Sequence, residues 1–167
     1  MLEAPLRPSL QGLAARQILG RHQLPRAAAV KLDDLIVPTA VATPGMKVEA
    51  LFRECAAKQV PGLPFRDASG RIVGKASIRH VLKMNCIPDY MVKHAALLGN
   101  TLDSLSIPAE KARFILAEDV DAFVLADVAV IGPTAPVAKA LAVMERHDTT
   151  YLFVIDGDDY FGCISIM

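Results

Sequence analysis

The sequence predicts a mixed α/β fold in which one small unit is used twice. Two stretches run through the same order of strand, amphipathic helix, strand, tight turn and strand. Landmark residues recur at a near-constant offset: Val41 and Val130, Pro44 and Pro133, Val48 and Val137, Leu63 and Leu152, and Asp67 and Asp156 each lie 89 residues apart. Past the turn the offset becomes 88, pairing Gly74 with Gly162, Ser77 with Ser165 and Ile78 with Ile166. A hairpin turn is where losing one residue costs least. The shift therefore supports an internal duplication over chance alignment.

Composition bounds the rest. The 167 residues suffice for one domain, or two small ones sharing a core. Hydrophobic residues make up 53%, aromatics 5% and Trp is absent, with a mean hydropathy of +0.35. The core must then be aliphatic and closely packed. So apolar a small chain exposes more oily surface than one subunit hides, which predicts a homo-oligomer. Eighteen basic and eighteen acidic residues cancel, leaving no positive field for general nucleic-acid binding. Cys55, Cys86 and Cys163 are widely spaced without a CxxC pair, so they read as reduced thiols of a cytoplasmic protein. No run approaches 18 apolar residues, and the first residues lack the apolar stretch of a secretory signal, so no membrane is expected as a partner.

Residues 1–31 carry five cations against the single acid Glu3. Ser9 is placed to cap a helix reaching about Gly20, with Leu10, Leu13, Ile18 and Leu19 roughly on one side. Such a basic amphipathic stretch suits a membrane surface, a targeting peptide, or a leading helix packed on the next domain; the last is the reading taken. Leu32 to Val37 is an apolar approach, and Thr39 to Thr43 reads as a short strand ending at Pro44-Gly45. Val48, Leu51, Phe52, Cys55 and Ala56 fall at the spacing of a helix with one buried face. Leu63 to Arg66 and Arg71 to Val73 are strands around the turn Asp67-Ala68-Ser69-Gly70, whose residues tolerate left-handed backbone. Gly74 marks a close backbone approach. Ser77 then stands at a strand-to-helix junction, ahead of a helix from Ile78 to about Met84.

Pro88-Asp89 and Ser106-Ile107-Pro108 read as helix starts. They divide a packed helical connector into Tyr90 to Leu98 and Ala109 to Leu116. Val128 to Ile131 is a strand, Val137 to Arg146 repeats the amphipathic helix, and Tyr151 to Ile155 and Tyr160 to Met167 form the second hairpin. The predicted organisation is an N-terminal helical segment at 1–31, a first repeat at 32–85, the connector at 86–119 and a second repeat at 120–167.

Each half resembles a cystathionine-β-synthase (CBS) domain, and the pair resembles a Bateman module. The resemblance rests on the strand before Pro44, the helix from Val48, then VPGLPFRD, ASGR and IVGKAS in the first half. In the second it rests on the strand before Gly132-Pro133, PVAKALAVMERHDTTYLFVID and YFGCIS. It implies two β-α-β-β-α repeats packed about a pseudo-two-fold axis, with clefts between the halves. The last helix of the second repeat is missing, because the sequence stops soon after Ser165. It also implies a non-catalytic sensor that takes an adenosine compound (AMP, ADP, ATP or S-adenosylmethionine), dimerises, needs no cofactor and regulates an unidentified protein. The alternative is a degenerate pair without ligand, serving as a dimerisation or docking module.

Ligand residues follow from the same resemblance. The family's signature runs from a Gly to a hydroxyl residue and then an Asp that accepts from ribose. Here it reads Gly74-Lys75-Ala76-Ser77-Ile78-Arg79-His80, with His80 where the Asp belongs. A carboxylate offers a diol two acceptors, whereas neutral His offers one. Losing that bond costs on the order of 1.5–3 kcal/mol. His80 is then either an ordinary solvated residue or, when protonated, a phosphate contact beside Arg79 and Lys75. Ser165 is the second hydroxyl, with no Asp after it; the chain is cut there, a partner supplies the element, or the second site is absent. Adenine would lie against Ala40, Val41, Ala42, Val60, Pro61, Gly62 and Leu63 in the first half, and Val128, Ala129, Val130, Thr149, Thr150 and Tyr151 in the second. All of these equally suit a core.

No other chemistry stands out. His22, His80, His94 and His147 are scattered, so no metal is expected. Cys55 and Cys163 lie on apolar faces, and no GxSxG, P-loop or GxGxxG is present. An enzyme is the weakest reading.

Overall fold

The computed structural model describes residues 30–97 and 107–166. Helix α1 (Val48–Lys58) buries Val48, Leu51 and Cys55 on one stripe, as their spacing requires, and ends where Gln59 turns left-handed. Strands β1 (Gly62–Arg66) and β2 (Ile72–Ser77) pair antiparallel. The Asp67 carboxylate closes their turn, accepting from the Ser69 hydroxyl at 2.6 Å and from the Ser69 and Arg71 amides at 2.9 and 3.1 Å. These bonds, the Ser69 hydroxyl foremost, hold its carboxyl below the usual range.

Helix α2 (Ile78–Cys86) follows β2 directly, and α3 (Asp89–Lys93), a 3-10 turn at Ala95–Leu97 and α4 (Ala109–Ala117) make up the described connector. A further 3-10 turn (Val120–Phe123) leads to β3 (Val130–Ile131), α5 (Val137–Arg146), β4 (Tyr151–Asp156) and β5 (Asp159–Ser165). No described residue continues β5 into a helix.

The duplication holds to the residue. Gly62 faces Ser77, Leu63 faces Ala76 and Phe65 faces Gly74; at the sequence offsets Tyr151 faces Ser165, Leu152 faces Ile164 and Val154 faces Gly162. Both hairpins slip register at one equivalent step, Phe65/Arg66 and Val154/Ile155. The repeats also exchange backbone. Leu125, from the approach to the second repeat, trades amide–carbonyl bonds of 2.8 and 2.9 Å with Lys75 in β2. Val37, from the approach to the first, trades bonds of 2.8 and 2.9 Å with Cys163 in β5.

Two glycines make that exchange possible. A Cβ on Gly74 would sit 2.5 Å from Val124 Cγ1 and 2.7 Å from the Leu125 carbonyl oxygen. One on Gly162 would meet Ile36 Cγ2 and the Val37 carbonyl oxygen at 2.6 Å. The expected close approach at Gly74 is this crossing.

The cores follow the same logic. Tyr151, Phe153 and Cys163 turn one face of β4–β5 into a core shared with Leu51, Leu63 and Val81 of the first repeat. The alternate residues Leu152, Val154 and Ile164 pack with Ala140 and Met144 of α5. Leu32 buries itself among this second set, while Val120 joins the shared core. Neither half covers its apolar surface alone.

Three expectations are corrected. The Thr39–Thr43 strand reduces to Ala42, whose amide donates to the Pro64 carbonyl and whose carbonyl accepts from the Arg66 amide, both at 2.8 Å. The next rung is absent because Pro64 has no N–H; in the second repeat Phe153 stands there and donates to the Ala129 carbonyl at 3.0 Å. Even so, the Val128–Ile131 strand keeps only Val130 and Ile131. The apolar approach at Leu32 begins as a 3-10 turn, Leu32–Leu35. The predicted N-terminal helix falls almost wholly outside the described residues.

Candidate functional site

Ser77 ends β2 and caps α2: its hydroxyl accepts from the His80 amide at 3.2 Å. The Ile78 amide is bound by the Pro61 carbonyl at 3.1 Å. Two of the first three amides of α2 are therefore taken, so any pull on an anion comes mainly from side chains. This junction borders a cleft of about 510 Å³ between the repeats. Pro61, Lys75, Ser77, Arg79, His80 and Lys83 form the first repeat's wall. Leu125, Met144, Glu145, Asp148, Thr149, Thr150, Tyr151 and Ile166 form the other.

The two walls differ in charge. Lys75, Arg79 and Lys83 stand on one, Glu145 and Asp148 on the other. Lys75 is only 9% exposed, and its ammonium lies 5.6 Å from the centroid of the Tyr151 ring. Among the described residues it forms no ion pair with a carboxylate. Burial pushes the Tyr151 phenol up to about 12, against the opposing pull of the Ser77 hydroxyl. Tyr151 thus keeps its proton at physiological pH. Partial burial, with the Lys83 charge nearby, lowers the His80 pKa, so the imidazole is neutral near pH 7 and holds no phosphate by charge there.

Seven of the residues singled out in the sequence as ligand contacts line this cleft: Pro61, Ser77, Arg79, His80, Thr149, Thr150 and Tyr151. Ala42 and Leu63 are fully buried, and Gly62 has no room for even a Cβ beside the Ala76 carbonyl. Val60, also buried, borders with Pro61 a second, apolar groove of about 550 Å³ beside Cys55, Ile78, Leu82 and Ile87. Ala40, Val41, Val128 and Val130 do not line the cleft; the Ala40 amide donates to the Glu54 carboxylate at 2.9 Å. Ser165 sits half-buried opposite Tyr151 in the hairpin.

Sequence reasoning did not place Lys83, Glu145, Asp148, Leu125, Met144 or Ile166 at the site. Lys75 was named only as a neighbour of His80, although one lysine inside the apolar run IVGKAS is itself a signal. The three cysteines are free and buried, and burial pushes Cys55 and Cys163 up to about 12, so both stay protonated thiols.

A duplicated sandwich with exchanged approach strands and a polar cleft at the seam defines a tandem-repeat module. Residues 117–167 match the family model for the CBS domain. The CBS domain of a CBS-domain-containing membrane protein from Sphaerobacter thermophilus has this fold with a TM-score of 0.57 at 17% identity, covering 83% of this chain and 84% of that one. CBSX2 in complex with AMP gives a TM-score of 0.53 at 17% identity, over 83% and 91%. The CBS domain pair of protein MJ0100, in complex with 5′-methylthioadenosine and S-adenosyl-L-methionine, gives 0.52 at 11%, over 83% and 90%. No curated protein matches the sequence. The family match is confined to the second half, and the chain has the fold of these CBS-domain proteins. No helix of the described residues is long and apolar enough to cross a membrane.

Proposed function

We propose that this chain is a regulatory sensor whose inter-repeat cleft holds an adenosine nucleotide and whose occupancy is read by a partner protein. The carrying observation is the cleft itself, with a hydroxyl, three cations and an aromatic ring at the seam of two bonded repeats. AMP and S-adenosylmethionine complexes among the fold neighbours support the same reading. A ligand touching both walls favours one setting of the repeats over another, which is the physical requirement for a switch. Pro61, Ser77, Arg79, His80, Thr149 and Tyr151 are the proposed contacts. The exposed apolar side chains Met84, Tyr90 and Phe114 support a homodimer, and three free thiols support a cytoplasmic setting. The proposed repeat boundaries are 32–85 and 120–167.

A docking module without ligand is the second reading, and His80 in place of a carboxylate favours it. Thermal unfolding with AMP, ATP and S-adenosylmethionine separates the two, since a ligand of the folded state raises the midpoint. The expected result is a rise with AMP or ATP that shrinks in Ser77→Ala. That variant is compared with its own ligand-free midpoint, because losing the cap alone costs about 1 kcal/mol. No rise with any of these compounds at millimolar concentration would replace the sensor reading with the docking one.

A further inference from the structure

We propose that Lys75 makes the cleft select for anions, so that the ligand is a phosphorylated adenosine and not a neutral or cationic one. The inference rests on the nucleotide reading above and sharpens it to one chemical class. It starts from an internal control. The equivalent position of the second repeat is Cys163, and the two residues have the same backbone setting: each trades two hydrogen bonds with the approach strand of the other repeat. Cys163 is fully buried there. The crossing accepts a small uncharged residue at this point, so it does not by itself require an ammonium in the other copy.

Burying that ammonium is unfavourable unless an opposite charge meets it. The Tyr151 ring face offers partial compensation, and no described carboxylate pairs with it. Its open side is the cleft, where Arg79 and Lys83 add positive charge on the same wall. Glu145 and Asp148 lie on the opposite wall and repel an anion from that side. An anionic group is thereby drawn to the first repeat's side of the cleft, which Lys75 and Ser77 both line. Phosphate suits this place, whereas adenosine brings no charge to it and S-adenosylmethionine, net cationic, offsets its one carboxylate with a sulfonium and an ammonium.

The test is calorimetric titration of the full chain and of Lys75→Cys with ATP, AMP, adenosine, S-adenosylmethionine and inorganic tripolyphosphate, at low and high salt. Lys75→Cys installs the residue that the second repeat already accommodates. The expected result is a preference for ATP and AMP over the two unphosphorylated compounds, weakened by salt, and a loss of about tenfold or more in the variant. Nucleotides that bind the variant unchanged overturn the role of Lys75 while leaving the nucleotide site standing. Tripolyphosphate that binds the native chain but not the variant, with nucleotides binding no better, upholds Lys75 and overturns the nucleotide reading. If the variant does not fold, the native chain decides: adenosine or S-adenosylmethionine bound as tightly as AMP sinks the proposal. The absence of any anion binding sinks both.

Discussion

The hairpins β1–β2 and β4–β5 share register, bulge and a crowded glycine, yet differ at two facing positions. Pro64 and Lys75 form a cross-strand pair in the first repeat, and Phe153 and Cys163 form the corresponding pair in the second. The second version is apolar and completes the shared core, where Phe153 meets Tyr151 and Tyr160 edge to face at 5.6 and 6.0 Å. The first version gives up a rung of the ladder and brings a charge to the cleft. At this facing pair one copy serves packing and the other presents a charge. A duplicated unit permits that division because each half is braced by the other's approach strand.

The division can be broken first at its apolar end. Phe153→Ala, at a position 1% exposed, should cost about 3–5 kcal/mol in urea unfolding. Pro64→Ala removes far less buried volume and should cost less than half as much. Equal losses at the two would contradict the asymmetry. Next come the crossings. Gly74→Ala and Gly162→Ala should each destabilise by about 1–3 kcal/mol, because the new methyl group meets backbone oxygen that has no space to move. Similar losses support equivalent crossings, whereas a neutral Gly74→Ala would mean that the approach to the second repeat yields easily.

The smallest effect belongs to His80, which the second repeat lacks among the described residues. Its pKa in the folded chain is below the ordinary histidine value of 6.5, so below that pH the unfolded chain binds more protons than the folded one. Stability is therefore full above pH 6.5 and declines as acidification proceeds toward the lowered folded value. A shallow loss of midpoint in this window, flattened in His80→Asn, is expected from a thermal series. An unchanged slope in the variant would assign the acid sensitivity elsewhere.

Much of this was legible beforehand for local reasons. The Val48 helix, the Asp67 turn and the Ser77 cap are each set by residues within a few positions of one another. The duplication was also visible, because a repeat leaves its period in the sequence. The strand before Pro44 was overread: its β-forming residues satisfy local preference, but pairing depends on donors on another strand, and Pro64 supplies none. Which of the adenine positions reach the cleft was not legible for a similar reason. Ala42 and Leu63 read equally as core or cleft, and only their neighbours decide which.

By itself, then, the chain's order of residues determined the unit, its two copies and the junction where hydroxyl meets helix. Only tertiary structure decided that Leu125 bonds Lys75 and Val37 bonds Cys163, and hence which faces meet at the seam. The physical reason is range. Turn, cap and amphipathic preferences act over a few residues, but the crossings join positions 50 and 126 residues apart through backbone groups that every residue carries alike.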